Sequence, residues 1–188
     1  MFDRRLADAV DGTVATHRAF VAAASAEAAT GAAMIRDAAL AGRQVLVFGN
    51  GGSATDAQHL AAELVVRYTR TRRAIAALAL TTDGAVLTAA GNDLGFDAVF
   101  ARQIEALGRP GDVAVGITTS GRSANVTKAL QTAKAQGLST IALTGRGGGD
   151  TVGLADVVIN VPSDVTARIQ EVHRTWIHAV CEWIEEGI

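Results

Sequence analysis

Two helical patterns carry side chains suited to proton transfer or ion binding. In "GNGGSATDAQHLAAEL" (residues 49 to 64) His59 and Glu63 stand four apart. On a helix that spacing puts both on one face, close enough to share an ion or a proton. In "TARIQEVHRTWIHAV" (166 to 180) Gln170 and His178 are eight apart, a little over two turns, and fall roughly on one side. For each histidine taken alone, a surface or hydrogen-bonded role is the better expectation, and His17 and His173 are given that role. Glutamine is a poor metal ligand, and spacing does not show that the two helices meet.

Two further segments suit an anion. Thr118-Thr119-Ser120-Gly121-Arg122-Ser123 joins an apolar run to a helix beginning near Asn125 and offers four hydroxyls around one glycine. A helix N-terminus presents free N–H groups and partial positive charge, so a phosphate can be held there without a basic patch. N-capping by a single Ser or Thr is the plainer reading, but four hydroxyls in six residues exceed what a cap requires. Asn50-Gly51-Gly52-Ser53 has the same layout, its glycines permitting positive φ and close approach of a ligand. Gly49, Gly51 and Gly52 do not spell the dinucleotide fingerprint, and no Walker lysine follows. Gly147 to Gly149 reads as a flexible turn.

The elements that must position these groups alternate. Apolar runs at 45–48, 74–80, 113–117, 140–144 and 157–161 are too continuous for a sheet with one wet face and are separated by helix-length segments. The pattern predicts a three-layer α/β fold with a five-stranded parallel sheet and a closing helix from about Thr166 to Glu186. Ligands then belong at the carboxyl ends of the strands. Residues 3 to 41 read as an N-terminal helical region with Gly31 as a possible break.

Composition bounds the partners. The 188 residues suit one domain, and 49% hydrophobic with 19% charged residues is globular. Lys plus Arg is 17 against 19 for Asp plus Glu, so a formal charge of -2 gives no reason to expect nucleic acid or an anionic membrane. Arg67, Arg70, Arg72 and Arg73 form a local basic run without aromatic stacking partners, read as a solvated loop or subunit contact. The first twenty residues do not look like a signal peptide, and no apolar stretch is long enough to span a bilayer, so a cytoplasmic protein is expected. Cys181, the single cysteine, reads as a buried structural thiol.

Taken together, "GNGGSATDAQHLAAEL", "ALTTDGAVLTAAGNDLGFDAVFARQ", "GDVAVGITTSGRSANV", "TIALTGRGGG" and "TARIQEVHRTWIHAVCEWIE" make the chain resemble the sugar isomerase (SIS) domain family over almost its whole length, and within it the bacterial phosphoheptose isomerases. That resemblance implies interconversion of sedoheptulose 7-phosphate and D-glycero-D-manno-heptose 7-phosphate in a homotetramer with shared sites. It implies sugar binding by Asn50, Gly51, Gly52, Asn92 and Asp93, and phosphate binding by Thr118, Thr119, Ser120 and Ser123. It also implies a zinc site of His59, Glu63, Gln170 and His178, with Glu63 and His178 as the acid–base pair. Two departures stand out: the phosphate loop reads T-T-S-G-R-S where the family more often has S-T-S-G-N-S, and "RYTRTRRAIAAL" lacks the usual proline. Rival readings are a non-catalytic SIS protein similar to the replication-initiator-associating factor DiaA, which lacks the acid–base pair, and a sugar-phosphate sensor.

Overall fold

A computed structural model describes residues 1–187. Five parallel strands form one sheet in the order β2-β1-β3-β4-β5: β1 (Val45–Gly49), β2 (Ala77–Ala79), β3 (Val113–Thr118), β4 (Ser139–Gly145) and β5 (Val157–Val161). The three central strands are almost wholly buried, as continuous apolar runs require when helices cover both faces. Alternation along each strand divides the core in two. Val45, Val47, Val115, Ile117, Ile141 and Leu143 point toward α1 (Phe2–Leu40), α2 (Gly52–Val65) and α6 (Thr166–Glu186). Leu46, Phe48, Ala114 and Ala142 point toward α3 (Gly84–Asp93), α4 (Ala101–Leu107) and α5 (Ala124–Ala135).

The strand order reverses direction between β1 and β3, and the helices that follow these two strands lie on opposite faces. A crevice therefore opens at their carboxyl ends, the place where open α/β sheets take ligands. The Asn50 and Thr118 loops are the two lips of that crevice.

Two expected features differ. Strand β2 covers only 77–79; ahead of it the Ile75 N–H bonds to the Leu64 carbonyl at the end of α2. Gly31 does not break the N-terminal helix; it lets α1 lie close to the sheet, where an added Cβ would meet Ile159 Cδ1 at 2.7 Å. The kink falls at Ala24, with φ -136° and ψ 16°. Among the described residues no helix is long and apolar enough to cross a membrane.

Candidate active site

Helices α2 and α6 pack side by side, and their contacts form a ladder. The Gln170 amide lies against Gly52, Arg174 bonds to Asp56, and His178 meets His59. Residue numbers rise together on both helices, so they run in the same direction. This seam gathers the first polar set predicted from sequence.

His59 Nε2 and His178 Nε2 are 2.7 Å apart, one ring donating its N–H to the other, with ring centroids 4.9 Å apart at 66°. Glu63 Oε1 lies 3.7 Å from His59 Nε2, as expected for residues four apart on one helix. Burial lowers the His59 pKa, with Glu63 opposing that shift and Arg174 and His178 adding to it, so this imidazole favours the neutral form. Cys181, one turn beyond His178, is buried and its thiol is pushed up to about 12 by that burial, which leaves it an inert core residue.

Two imidazoles and a carboxylate are the donor types of an open zinc centre. A neutral His59 suits such a role. Their spacing is that of direct contact: nitrogens on a tetrahedral zinc stand about 3.3 Å apart, so the rings must part by about 0.6 Å to take an ion between them. Among the described residues no three such side chains are already arranged around an ion. Gln170 rests at the Gly52 end of the seam, in a pocket that also involves Thr55, Asp56 and Arg174.

Across the crevice, Thr118 is buried at the end of β3, its hydroxyl 3.0 Å from that of Ser123 and 3.4 Å from that of Ser120. Ser120 Oγ accepts the Arg122 N–H at 3.1 Å, while Thr119 is half-buried beside it. Ser123 occupies the N-cap position of α5, yet its side chain caps nothing; it turns to Thr118. Gly51 precedes α2 at φ 57°, also without a side-chain cap. Two helix N-termini thus face the crevice without capping side chains.

Of the Gly147–Gly149 turn, expected to be free, Gly147 is exposed, while Gly148 and Gly149 pack against Gly121 and Ser120. Gly121 has φ 66°, and a Cβ there would meet the Gly148 carbonyl oxygen at 2.0 Å. The Asp150 N–H also bonds to the Gly121 carbonyl at 2.9 Å. Arg122 is exposed, its stem lying over Gly149. Asn50 and Asn125 exchange two amide hydrogen bonds of 2.9 Å, tying the Asn50 loop to the start of α5. Asn92 and Asp93 sit on the exposed end of α3 and bond to each other at 2.7 Å; among the described residues no hydrogen bond joins them to either loop.

The basic run needs one correction. Arg67, Arg70 and Arg73 are exposed, but the Arg72 side chain is only 3% exposed. It donates to the carbonyls of Leu64 at 2.8 Å and Glu63 at 2.6 Å, and approaches Glu185 at 3.4 Å. A guanidinium can sit in the core when helix-end carbonyls meet its donors and a carboxylate balances its charge; here Nε pairs with Glu185 by charge alone and has no hydrogen-bond partner among the described residues. Sequence reading also passed over Asp56, Tyr68, Asn125, Arg174 and Glu185. Asp56 and Arg174 do stand three and four residues before the two histidines, a helical repeat that becomes legible once α2 and α6 are known to meet.

The SIS domain family matches residues 10–145, which takes in α2 and the Thr118 loop and stops before α6. The chain is 60% identical over 149 residues to the phosphoheptose isomerase of Paramagnetospirillum magneticum, covering 79% of this chain and 78% of that one. It superposes on phosphoheptose isomerase GmhA from Neisseria gonorrhoeae with a TM-score of 0.93 and 42% identity, over 99% of this chain and 100% of the other. The Francisella tularensis phosphoheptose isomerase gives a TM-score of 0.94 at 34% identity, covering 99% of both chains. Both solved structures extend the likeness through α6, so the chain belongs to the SIS domain family and, within it, to the phosphoheptose isomerases.

Proposed function

We propose that this enzyme interconverts sedoheptulose 7-phosphate and D-glycero-D-manno-heptose 7-phosphate, with Glu63 and His178 as its acid–base pair. The observation that carries this reading is the seam between α2 and α6, where a carboxylate and two imidazoles cluster beside a crevice with two uncapped helix N-termini. Aldose–ketose isomerisation moves a proton between C1 and C2 through an enediol, so one group must take the carbon proton and another must manage protons on the oxygens. The Glu63 carboxylate suits the first task and the His178 imidazole the second. Thr118, Thr119, Ser120, Ser123 and the first turn of α5 take the phosphate. Asn50, Gly51, Gly52, Asn92 and Asp93 are assigned to the sugar hydroxyls. Anchoring the far end of the substrate turns remote binding into orientation at the reacting carbons.

We assign the zinc to His59, Glu63 and His178, with Gln170 as a fourth ligand once its amide swings away from Gly52 toward the histidines. A bound ion supplies Lewis-acid polarisation of the substrate carbonyl. Metal analysis of the purified protein, wild type against His59→Ala, tests this assignment. The enzyme is further proposed to work in the cytoplasm as a homotetramer. Exposed Leu6, Val10 and Val14 on α1, and the apolar groove of Ala28, Ala32, Trp176 and Trp183 between α1 and α6, support assembly.

An NMR assay of sedoheptulose 7-phosphate with purified protein tests the function. Conversion to the aldose phosphate is the expected result. Binding without conversion makes the chain a sensor, and neither binding nor conversion leaves a scaffold protein.

A further inference from the structure

The segment between α2 and β2 has little regular structure, yet it carries an aromatic ring to the catalytic seam. Tyr68 stacks on His178 with ring centroids 5.6 Å apart and planes at 24°. His59 meets the same imidazole edge-on at 66°. A histidine side chain turns about two torsions, and contacts with its face and its edge together leave it one orientation. The ring can do this only if its own loop is held.

Glu185 holds it. This carboxylate, 3% exposed in the last turn of α6, accepts the Tyr68 N–H at 2.7 Å, the Thr69 N–H at 2.8 Å and the Arg70 N–H at 2.7 Å. The Thr69 hydroxyl donates as well, at 3.0 Å. Three consecutive main-chain donors around one carboxylate form an anion nest, in which the anion belongs to the protein itself. Arg72 closes the arrangement from the other side, with Nε 3.4 Å from Glu185 Oε1 and Nη2 donating to the Glu63 carbonyl at 2.6 Å. The last turn of α6, the loop and the last turn of α2 are thereby fastened at one point. A buried carboxylate is costly unless fully bonded, and this one meets four donors in a segment that otherwise lacks a ladder.

We propose that Tyr68, clamped by the Glu185 carboxylate, is a positioning residue that fixes the His178 imidazole for proton transfer in the isomerisation. The inference rests on the catalytic reading of His178 given above. Glu185 acts at a distance, since seven residues of helix separate it from His178 by about 10 Å along the axis.

The test compares Tyr68→Phe, Tyr68→Ala, Glu185→Gln and His178→Ala, each measured for kcat, KM and unfolding midpoint, with the imidazole C–H resonances of His178 followed in the first three and assigned by their loss in His178→Ala. Tyr68→Phe keeps the ring and holds kcat within about twofold, while Tyr68→Ala lowers kcat about tenfold or more with KM changed less than about threefold, as loss of orientation predicts. Glu185→Gln lowers kcat in the same way and shifts the His178 resonances toward those of Tyr68→Ala. Full kcat in Tyr68→Ala overturns the proposal, as does a Tyr68→Phe variant as slow as Tyr68→Ala, which places the effect in the hydroxyl. Unmoved His178 resonances in Glu185→Gln overturn the clamp. Should Glu185→Gln fail to fold, the Tyr68 pair decides the role of the ring, and Thr69→Val, which removes one donor to Glu185, decides the clamp by the same resonances. If His178→Ala itself retains turnover, the catalytic reading fails; if it is inactive while Tyr68→Ala is not, only the positioning role fails.

Discussion

Arg174 grips Asp56 through two guanidinium nitrogens, Nε standing 3.2 Å from Oδ1, and the pair lies one turn before His178 on α6 and His59 on α2. The two helices are thereby pinned in register just short of the His59–His178 contact. The partners are not equivalent: Asp56 is 3% exposed, while the Arg174 side chain is 45% exposed. Removing the arginine strands a buried charge, whereas removing the carboxylate leaves a cation that water can reach. Arg174→Met is expected to lower stability by about 1–3 kcal/mol in urea unfolding, and Asp56→Asn by less. The reverse order would mean that the pair does not bear on the seam.

Glu63→Gln and His178→Ala are each expected to lower turnover by about 10²–10⁴-fold, the usual contribution of an acid or base. Near-normal isomerisation by either variant removes its assigned role. Ser120→Ala acts elsewhere: its hydroxyl lies in the loop proposed to take the phosphate, so KM is expected to rise while kcat holds.

Gly121 has both a positive φ and a neighbour that excludes any side chain, with the Gly148 carbonyl 2.0 Å from where a Cβ would stand. Gly121→Ala must move either the loop of residues 118–123 or the turn after β4, and the left-handed backbone alone costs about 1–2 kcal/mol. A lower melting temperature together with a raised KM is expected. A change in melting temperature without one in KM would separate this glycine from phosphate binding.

Acid sensitivity should trace to His173. Burial pushes its pKa down to about 4 from 6.5, while its bond to the Thr144 carbonyl at 3.0 Å works the other way. The unfolded chain takes up a proton below 6.5 and the folded one only near 4. Stability is therefore complete above 6.5 and falls as pH drops toward 4, by up to about 3 kcal/mol. Glu185 adds a second loss at lower pH. Burial acts to raise its pKa, but the N–H groups of Arg70, Thr69 and Tyr68 and the Thr69 hydroxyl hold the carboxyl at about 2, so its contribution is present above 4.5 and fades as pH falls toward 2. Urea midpoints between pH 7.5 and 4.5 measure the first effect, and in His173→Gln they should flatten over that range.

Local pattern was enough for much of this protein. Continuous apolar runs announced strands covered on both faces, and α6 spans Thr166–Glu186 as its periodicity predicted, because burial and helical spacing are written in consecutive residues. The hydroxyls at 118, 119, 120 and 123 and the His59–Glu63 spacing were legible for the same reason. Only tertiary structure decided what faces what. His178 reaches His59 across 119 positions of chain, Asn125 reaches Asn50 across 75, and Glu185 gathers the N–H groups of Tyr68, Thr69 and Arg70. A composition count takes Arg72 for surface charge, yet its guanidinium is buried against the end of a helix that the sequence places beside nothing in particular. Such pairings depend on where the sheet lays α2 against α6, and no window of neighbouring residues encodes that separation.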